Sequence, residues 1–181
     1  MNRNTGFTVI ELMVTISIAA ILVAVAVPAF SNIIKDNRLT GHLNDFVAAA
    51  SLARSEAMKT GNRVSMCPKK AADDTCGTNW EGGWIIFVDE NADAQKDGGE
   101  KVVRVHAPLA GSGITLRGSS DTDKYLSFNS QGLAVNTSAT PLTGEMILCD
   151  DRKDASAKGI FISGGGSVTH RDVSLVSIKC P

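Results

Sequence analysis

The sequence predicts an α+β protein, with one long N-terminal helix packed on an antiparallel β head. Three observations predict this fold. Residues 7–30 form an apolar run whose only charged residue is Glu11. Residues 31–60 then carry apolar side chains at helical spacing, which indicates that the same helix continues. Residues 61–181 break into short β-branched segments separated by turn residues, which favours strands.

The apolar run is long enough to cross a membrane. As a helix, it spans a hydrocarbon core of about 30 Å. Arg3 precedes the run, whereas charges of mixed sign follow it from Lys35. A short positive N-terminus tends to stay in the cytoplasm, so we expect the rest of the chain to lie in the periplasm or beyond.

The second half of the helix is predicted to be amphipathic, with one face on the head and the other in water. Gly61 and Asn62 provide a stop signal, so the helix is expected to end at Thr60. The expected packing face consists of Leu39, Leu43, Phe46, Val47, Ala50, Ala53 and Ala57.

The head, residues 61–181, reads as strands joined by loops rich in Gly, Asn, Asp and Ser. No second helical pattern is present, and no linker divides the head. The predicted strands are Arg63–Cys67, Trp84–Asp89, Lys101–His106, Ile114–Arg117, Tyr125–Phe128, Glu145–Cys149, Gly159–Ser163 and Val173–Lys179.

Composition and motifs argue against an enzyme. The net charge is −1 over 181 residues, so no strongly basic surface is predicted. The chain has no G-x-S-x-G, no P-loop and no dinucleotide-binding glycine pattern. His42, His106 and His170 are scattered, without an adjacent nucleophile. We therefore expect no catalytic residue and no cofactor.

The N-terminus differs from a secretory signal, in which the cleavage site follows the apolar region. Here a short polar leader, residues 1–6, ends in Gly6, and the apolar run begins at Phe7. The sequence Gly6-Phe7-Thr8-Val9-Ile10-Glu11-Leu12 resembles the processing site of type IV prepilins and pseudopilins. The resemblance implies that a prepilin peptidase cuts after Gly6 and that Phe7 is N-methylated. Residues 7–30 would remain as a transmembrane assembly helix.

Glu11 is a lone carboxylate in an apolar segment, where an unpaired charge costs several kcal/mol. The resemblance implies that it meets the terminal amine of a neighbouring subunit in a filament, which would favour one register. The alternative is a side chain that reaches the membrane surface, because Glu11 is near one end of the run.

Several short pieces of the chain carry a second resemblance. They are Ala53-Arg54-Ser55-Glu56-Ala57, Val64 to Cys67, Gly83-Trp84, Phe87, Asp89 and Asn91. With these pieces the head resembles the GspH/FimT family of type IV minor pilins and type II secretion pseudopilins. The resemblance implies a type IV pilin fold and a structural subunit that helps initiate or cap a pilus. A minor pseudopilin of type II secretion is the alternative.

The resemblance also implies a location and partners. The chain would be a single-pass protein of the bacterial inner membrane, with its head in the periplasm, and would then enter an extracellular pilus or a periplasmic pseudopilus. The implied partners are the peptidase, other minor pilins and the major pilin or pseudopilins, the inner-membrane assembly platform and membrane lipid.

DNA binding is a disfavoured third reading. One subgroup of the family binds DNA and carries a Gly-Arg-x-Arg element near its C-terminus. The corresponding stretch here, Gly166-Ser167-Val168-Thr169, lacks both arginines, and His170-Arg171 follows it. Phosphate contacts depend on clustered cations. A patch from Lys69, Lys70, Arg117, Lys153 and Lys158 remains open.

Four cysteines, all beyond the membrane run, indicate disulfides in an oxidising compartment. Three pairings are possible. We favour Cys67 with Cys76 and Cys149 with Cys180, the second pinning the C-terminal strand. No C-x-x-C or H-x-x-x-H spacing supports zinc, so no metal is assigned.

One acidic loop leaves calcium open. Its oxygen-bearing side chains occupy positions 1, 3, 5, 7, 9 and 12 of an EF-hand-like loop. Ala94 replaces the glycine expected at position 6, so a polar connection between strands is favoured. The six residues are Asp89, Asn91, Asp93, Gln95, Asp97 and Glu100.

Overall fold

The computed structural model describes residues 7–70, 73–110 and 113–181. Helix α1 spans Val9–Thr60 and contains Pro28. The strands are β1 Val64–Pro68, β2 Trp84–Val88, β3 Val102–His106, β4 Thr115–Gly118, β5 Leu126–Phe128, β6 Ala134–Val135, β7 Gly144–Cys149, β8 Lys158–Ile162 and β9 Val168–Arg171. The predicted α+β class, one long N-terminal helix followed by antiparallel strands, is confirmed.

The chain divides into two compact units between Arg38 and Leu39. In the first unit, the apolar side chains of α1 are exposed, from Phe7 to Ile34. The second unit, Leu39–Pro181, consists of the C-terminal part of α1 and the head, which contains all the described strands.

The head contains two antiparallel sheets. The larger has the strand order β3-β2-β1-β5-β6, and the smaller has the order β4-β7-β8-β9. Strands β1 and β2 are buried at every position, because side chains cover both faces of the larger sheet. Antiparallel pairing by short connections explains why neighbours in sequence mostly pair in space.

The packing face of α1 forms part of the hydrophobic core of the head. Its buried residues are Leu39, Leu43, Phe46, Ala49, Ala50, Ala53 and Ala57, so the predicted face is confirmed except that Val47 is only half-buried. The ring of Phe46 meets Trp80 and Trp84 edge-on, with ring centroids 5.4 Å apart in both pairs. Such edge contacts add to the free energy of burial. The small alanines bring the helix backbone close to the strands.

One predicted strand is wrong and two strands were missed. Val173–Lys179 was predicted as a strand, but it forms a short 3₁₀ turn, Val173–Leu175, followed by irregular chain. Its β-branched residues pack on the smaller sheet as an extended cover and form no ladder. The missed strands, β6 and β9, are short, and their pairing partners define them.

The C-terminal segment, residues 172–181, forms a strap over the outer face of the smaller sheet. Val176 is buried against Ile147 and Cys149, and Val173 and Ile178 pack beside it. The carboxylate of Glu145 accepts hydrogen bonds from the backbone N–H and the hydroxyl of Ser177, both at 2.8 Å. The strap is therefore held by both apolar and polar contacts.

Two disulfides join the described cysteines, Cys67 to Cys76 and Cys149 to Cys180. These are the pairs that the sequence favoured. The expectation that the second bond pins a terminal strand is wrong, because Cys180 belongs to the irregular strap. It ties the strap to β7 instead.

We predict that the strap contact weakens in acid. The hydrogen bonds from Ser177 lower the pKa of Glu145 below its ordinary value of 4.5, and the nearby Arg171 lowers it further. A carboxyl whose pKa is lower in the folded state stabilises the fold above its unfolded pKa. This contribution is lost as the pH falls below about 4.5, through the lower pKa of the folded state.

The measurement is the free energy of unfolding as a function of pH for the parent chain and Glu145→Gln. We expect the variant to be less stable at neutral pH and to lose less stability on acidification. Identical pH profiles would contradict the role of Glu145.

Candidate functional site

The start of α1 is capped by its own side chains. The hydroxyl of Thr8 accepts a hydrogen bond from the backbone N–H of Glu11 at 3.3 Å, and the Glu11 carboxylate accepts one from the N–H of Thr8 at 3.5 Å. This reciprocal pair is a capping box. A carboxylate here also lies where the helix dipole favours negative charge. Glu11 is thus partly satisfied within its own chain.

The sequence analysis did not predict Thr8 as a helix-capping residue, although the T-x-x-E spacing of a capping box is present in the motif. The predicted cleavage residue, Gly6, lies outside the described residues. Phe7, the predicted site of N-methylation, is described and is 80% exposed. The structure does not test the roles of Gly6, Phe7 and Glu11, which remain predictions.

The first unit of α1 is suited to lipid by length and composition. It includes an 18-residue stretch with a mean hydropathy of 2.6, and no part of this stretch is buried within the protein. Two of its hydroxyls are satisfied internally, because Thr15 donates to the carbonyl of Leu12 and Ser17 to that of Met13, both at 2.8 Å. Such back-bonding removes the cost of an unpaired hydroxyl in hydrocarbon.

The stretch compared with the DNA-binding element forms a tight turn that leads into β9. Gly166 has a φ of 79°, and its N–H donates to the carbonyl of Ser163 at 2.8 Å. Arg171 then ends β9 in contact with other side chains. It donates to Glu145 at 3.0 Å, and its guanidinium lies 4.4 Å from the ring centre of Phe161. This arginine is therefore engaged in the fold of the head.

The five cations considered as a DNA-binding patch lie on different elements of the head and contact different residues. Lys69 and Lys70 line a cleft beside the first disulfide loop. Arg117 is bound to Glu81. Lys153 lies in the segment between β7 and β8, and Lys158 is the first residue of β8.

The acidic loop is organised by its own hydrogen bonds. Asp89 points inward and is only 1% exposed. Glu100 accepts from the backbone N–H groups of Glu90 and Asp97, both at 2.9 Å. The amide of Asn91 donates to the carboxylates of Asp93 and Asp97, each at 3.0 Å. Within residues 7–70, 73–110 and 113–181, no three His, Cys, Asp or Glu side chains are grouped to hold a metal ion.

The histidines have structural contacts. His42 lies 3.0 Å from the carbonyl oxygen of Ala110. His106, at the end of β3, stacks on Trp84 with a centroid distance of 3.9 Å and has Asp45 at 3.8 Å. These contacts tie α1 to the edge of the larger sheet.

Comparisons with known proteins give two family matches. The family model of "Type II transport protein GspH" matches residues 42–166. The model of the "Prokaryotic N-terminal methylation motif" matches residues 1–27. The two matches together span the apolar helix and most of the head.

Two curated proteins match shorter stretches. Prepilin peptidase-dependent protein D of Escherichia coli K12 is 41% identical over 61 residues, which is 34% of this chain and 42% of that protein. Fimbrial protein Q of Moraxella bovis is 39% identical over 75 residues, which is 41% of this chain and 46% of that protein. The chain thus spans less than half the length of the curated relatives it matches.

Among solved structures, the fold is similar to that of the type IV minor pilin FimU of Pseudomonas aeruginosa PAO1. In one crystal form, the TM-score is 0.62 at 19% identity, covering 81% of this chain and 98% of that chain. A second crystal form has a TM-score of 0.58 at 18% identity, covering 78% and 99%. At these identities the likeness shows the fold, and this chain has that fold.

Proposed function

This chain belongs to the GspH family of pilin-related proteins, and from that premise we propose that it is a minor pilin of a type IV pilus. The observation that carries the proposal is the union of two features in one chain. Residues 1–27 match the N-terminal methylation motif and lead into the apolar helix, and residues 42–166 match the GspH model. A structural subunit needs both parts, one to pack in a filament and one to display at its surface.

In this proposal, a prepilin peptidase removes residues 1–6 by cutting after Gly6. Phe7 becomes the N-methylated N-terminus, and residues 7–30 hold the subunit in the inner membrane. Residues 31–60 continue as the amphipathic part of α1, and residues 61–181 form a head in the periplasm. The assembly platform then transfers the subunit into a filament, where it contacts other minor pilins and the major pilin.

Glu11 is central to assembly in this proposal. In the single subunit, its carboxylate is capped by Thr8 across a long hydrogen bond of 3.5 Å. The terminal amine of a neighbouring subunit is a stronger partner, because it carries a full positive charge and would form an ion pair with the carboxylate, whereas the N–H of Thr8 is a neutral donor. Exchange of the weaker partner for the stronger one would favour filament entry.

A minor pseudopilin of type II secretion is the second candidate. It is favoured by the name of the matching family, which is that of a type II transport protein. The pilus is preferred because one curated relative is a fimbrial protein and the solved structures of similar fold are of a minor pilin. A DNA-binding role is not preferred, since Arg171 is already paired with Glu145 and stacked on Phe161.

We predict that Gly6→Ala blocks leader removal and that Glu11→Val permits it but prevents filament entry. The intact mass of the chain measures the first effect, and its amount in sheared filaments measures the second. Ser17→Ala is the matched control, because it lies in the same apolar segment and removes only a back-bonded hydroxyl. A Glu11→Val chain that enters filaments like the parent would contradict the proposal.

Deletion of the gene separates the two candidates. Loss of pili with normal protein secretion is expected for a minor pilin. Loss of secretion with normal piliation would replace it with the pseudopilin.

A further inference from the structure

A cleft of about 950 Å³ lies on the head beside the first disulfide loop. The cleft is separate from the predicted processing segment at the N-terminus and from β9, which follows the turn compared with the DNA-binding element. Its lining includes three lysines and one glutamate. The lining residues are Lys69, Lys70, Cys76, Gly77, Thr78, Asn79, Glu81, Gly82, Gln95 and Lys124.

The floor of the cleft is preformed by backbone. Gly77 and Gly82 lie against the backbone of Lys69 and Lys70, and a Cβ at either glycine would come within 3.1 Å of it. The N–H of Lys69 donates to the carbonyl of Gly83 at 2.8 Å. The disulfide between Cys67 and Cys76 closes the loop beside this floor. A preformed site avoids the entropic cost of ordering its wall when a ligand binds.

The charges of the cleft favour an anionic ligand. Lys70 and Lys124 are exposed, and the positive charge of Lys70 attracts the neighbouring Asp73 carboxylate. Lys69 pairs with Asp74 at 3.4 Å, but the Asp74 side chain is 60% exposed. An exposed pair of this kind contributes little to stability, so an incoming carboxylate can displace Asp74. Asp73 is exposed like Asp74, so an incoming carboxylate competes with two solvent-screened carboxylates for Lys69 and Lys70. Lys124 belongs to no such pair among the described residues.

The chemistry of the lining favours a peptide over a nucleic acid. Glu81 is held in the wall by Arg117, where its carboxylate can accept a hydrogen bond from a peptide N–H. Asn79 and Gln95 supply amides that pair with both N–H and C=O groups. The lining contains no aromatic side chain on which a base would stack. The volume suits a short segment, not a folded domain.

We propose that this cleft binds an acidic peptide segment of another filament subunit. The inference rests on the proposed function, which places the head among other subunits. The carboxylates of the segment pair with Lys70 and Lys124, and its backbone pairs with the amides and Glu81. The cleft thereby selects a neighbour by charge, which is the usual contribution of charged groups at an interface.

The test uses the full chain in cells, with a photo-crosslinking amino acid in place of Thr78 on the cleft wall. The same group at Thr169, exposed on β9, is the positional control. The double variant Lys70→Glu/Lys124→Glu is expected to lower the Thr78 crosslink roughly fivefold or more. The charge-matched control is Lys101→Glu/Lys179→Glu, which changes two exposed lysines elsewhere and should leave the crosslink unchanged.

Mass spectrometry of the crosslinked peptide identifies the occupant. The expected occupant is a segment of another filament subunit that contains Asp or Glu. Reversing those acids to Lys should restore the crosslink to the Lys70→Glu/Lys124→Glu chain. A crosslink to nucleic acid, to a segment without acids, or one insensitive to the lysine reversal would overturn the inference.

The amount of parent chain in sheared filaments separates the two proposals. If the chain enters filaments but the Thr78 crosslink is absent, the cleft inference fails and the proposed function stands. If the parent chain never enters filaments, the proposed function fails and the cleft inference fails with it.

Discussion

Replacing Asp89 with alanine is expected to lower the free energy of unfolding of the head by about 3–5 kcal/mol. The side chain of Asp89 is completely buried, with the Nε of Arg63 at 3.5 Å. It also accepts hydrogen bonds from the hydroxyl of Ser65 at 2.5 Å and from the N–H of Ala94 at 3.1 Å. Alanine would leave a guanidinium that is only 10% exposed without its counter-charge.

The carbonyls that Arg63 also contacts do not replace this charge. Arg63 donates to the carbonyl oxygens of Asn136 at 2.6 Å and Val135 at 3.4 Å, which join its position to β6. Loss of Asp89 therefore disturbs both the loop after β2 and the far edge of the larger sheet. The cost should exceed that of an ordinary surface substitution by several fold.

Tryptophan fluorescence during denaturant unfolding of the detergent-solubilised chain measures this effect. Both tryptophans, Trp80 and Trp84, are fully buried in the head, so the signal reports the unfolding of the head. Glu90→Ala is the control, because Glu90 is the exposed next residue and should change stability by less than about 0.5 kcal/mol. Equal stabilities of the two variants would disprove the role of the buried charge pair.

Removing the second disulfide by Cys149→Ala/Cys180→Ala is expected to cost about 3.7 kcal/mol. The two cysteines are separated by 31 residues, and a cross-link over such a loop restricts the unfolded chain. Folded-state contacts change as well, because Cys180 ends the strap that covers Ile147. Released from β7, the strap would expose this apolar face to water.

The first disulfide provides the comparison within the same chain. Cys67 and Cys76 are separated by 9 residues, so the chain-entropy argument gives a smaller cost of about 2.7 kcal/mol for Cys67→Ala/Cys76→Ala. The difference is measured by denaturant unfolding of the two double variants. A reversed order would show that native contacts of the first loop outweigh the restriction of the unfolded chain.

The parts of the fold that follow from local pattern were predictable. The end of α1 at Thr60 follows from Gly61, which has a φ of 71° and stops the helix. Strand β2 follows from a run of β-branched and aromatic residues that is buried on both faces. The packing face of α1 follows from helical spacing alone. In each case the signal lies within a few neighbouring residues.

The strand predictions failed where the structure of a segment depends on residues that are distant in sequence. Val173 to Lys179 has β-branched residues like a strand, yet it covers a sheet whose edge is already formed by β9. Strand β9 itself, Val-Thr-His-Arg, has a weak local signal and forms because β8 offers it a ladder. Strand propensity describes how a side chain fits a pleated surface, so it cannot tell a strand from a cover.

The residues of the candidate sites also divide into those that local sequence predicts and those that only tertiary contacts bring together. The sequence alone predicts roles for Gly6, Phe7 and Glu11, because these residues lie at the start of the apolar run. It also named Lys69 and Lys70 as cations, without their setting. Only the tertiary structure placed Lys124, far along the chain, beside them in one cleft and engaged Arg171 with Glu145.

The physical reason is the range of the interactions. Membrane insertion and helix formation depend on residues that are close in sequence, so composition and spacing determine them. A charged cleft or a buried ion pair depends on residues that meet only after loops close and sheets pack. For this protein, the sequence predicted the apolar helix and its processing motif, and the tertiary structure decided which charges of the head lie together in one cleft.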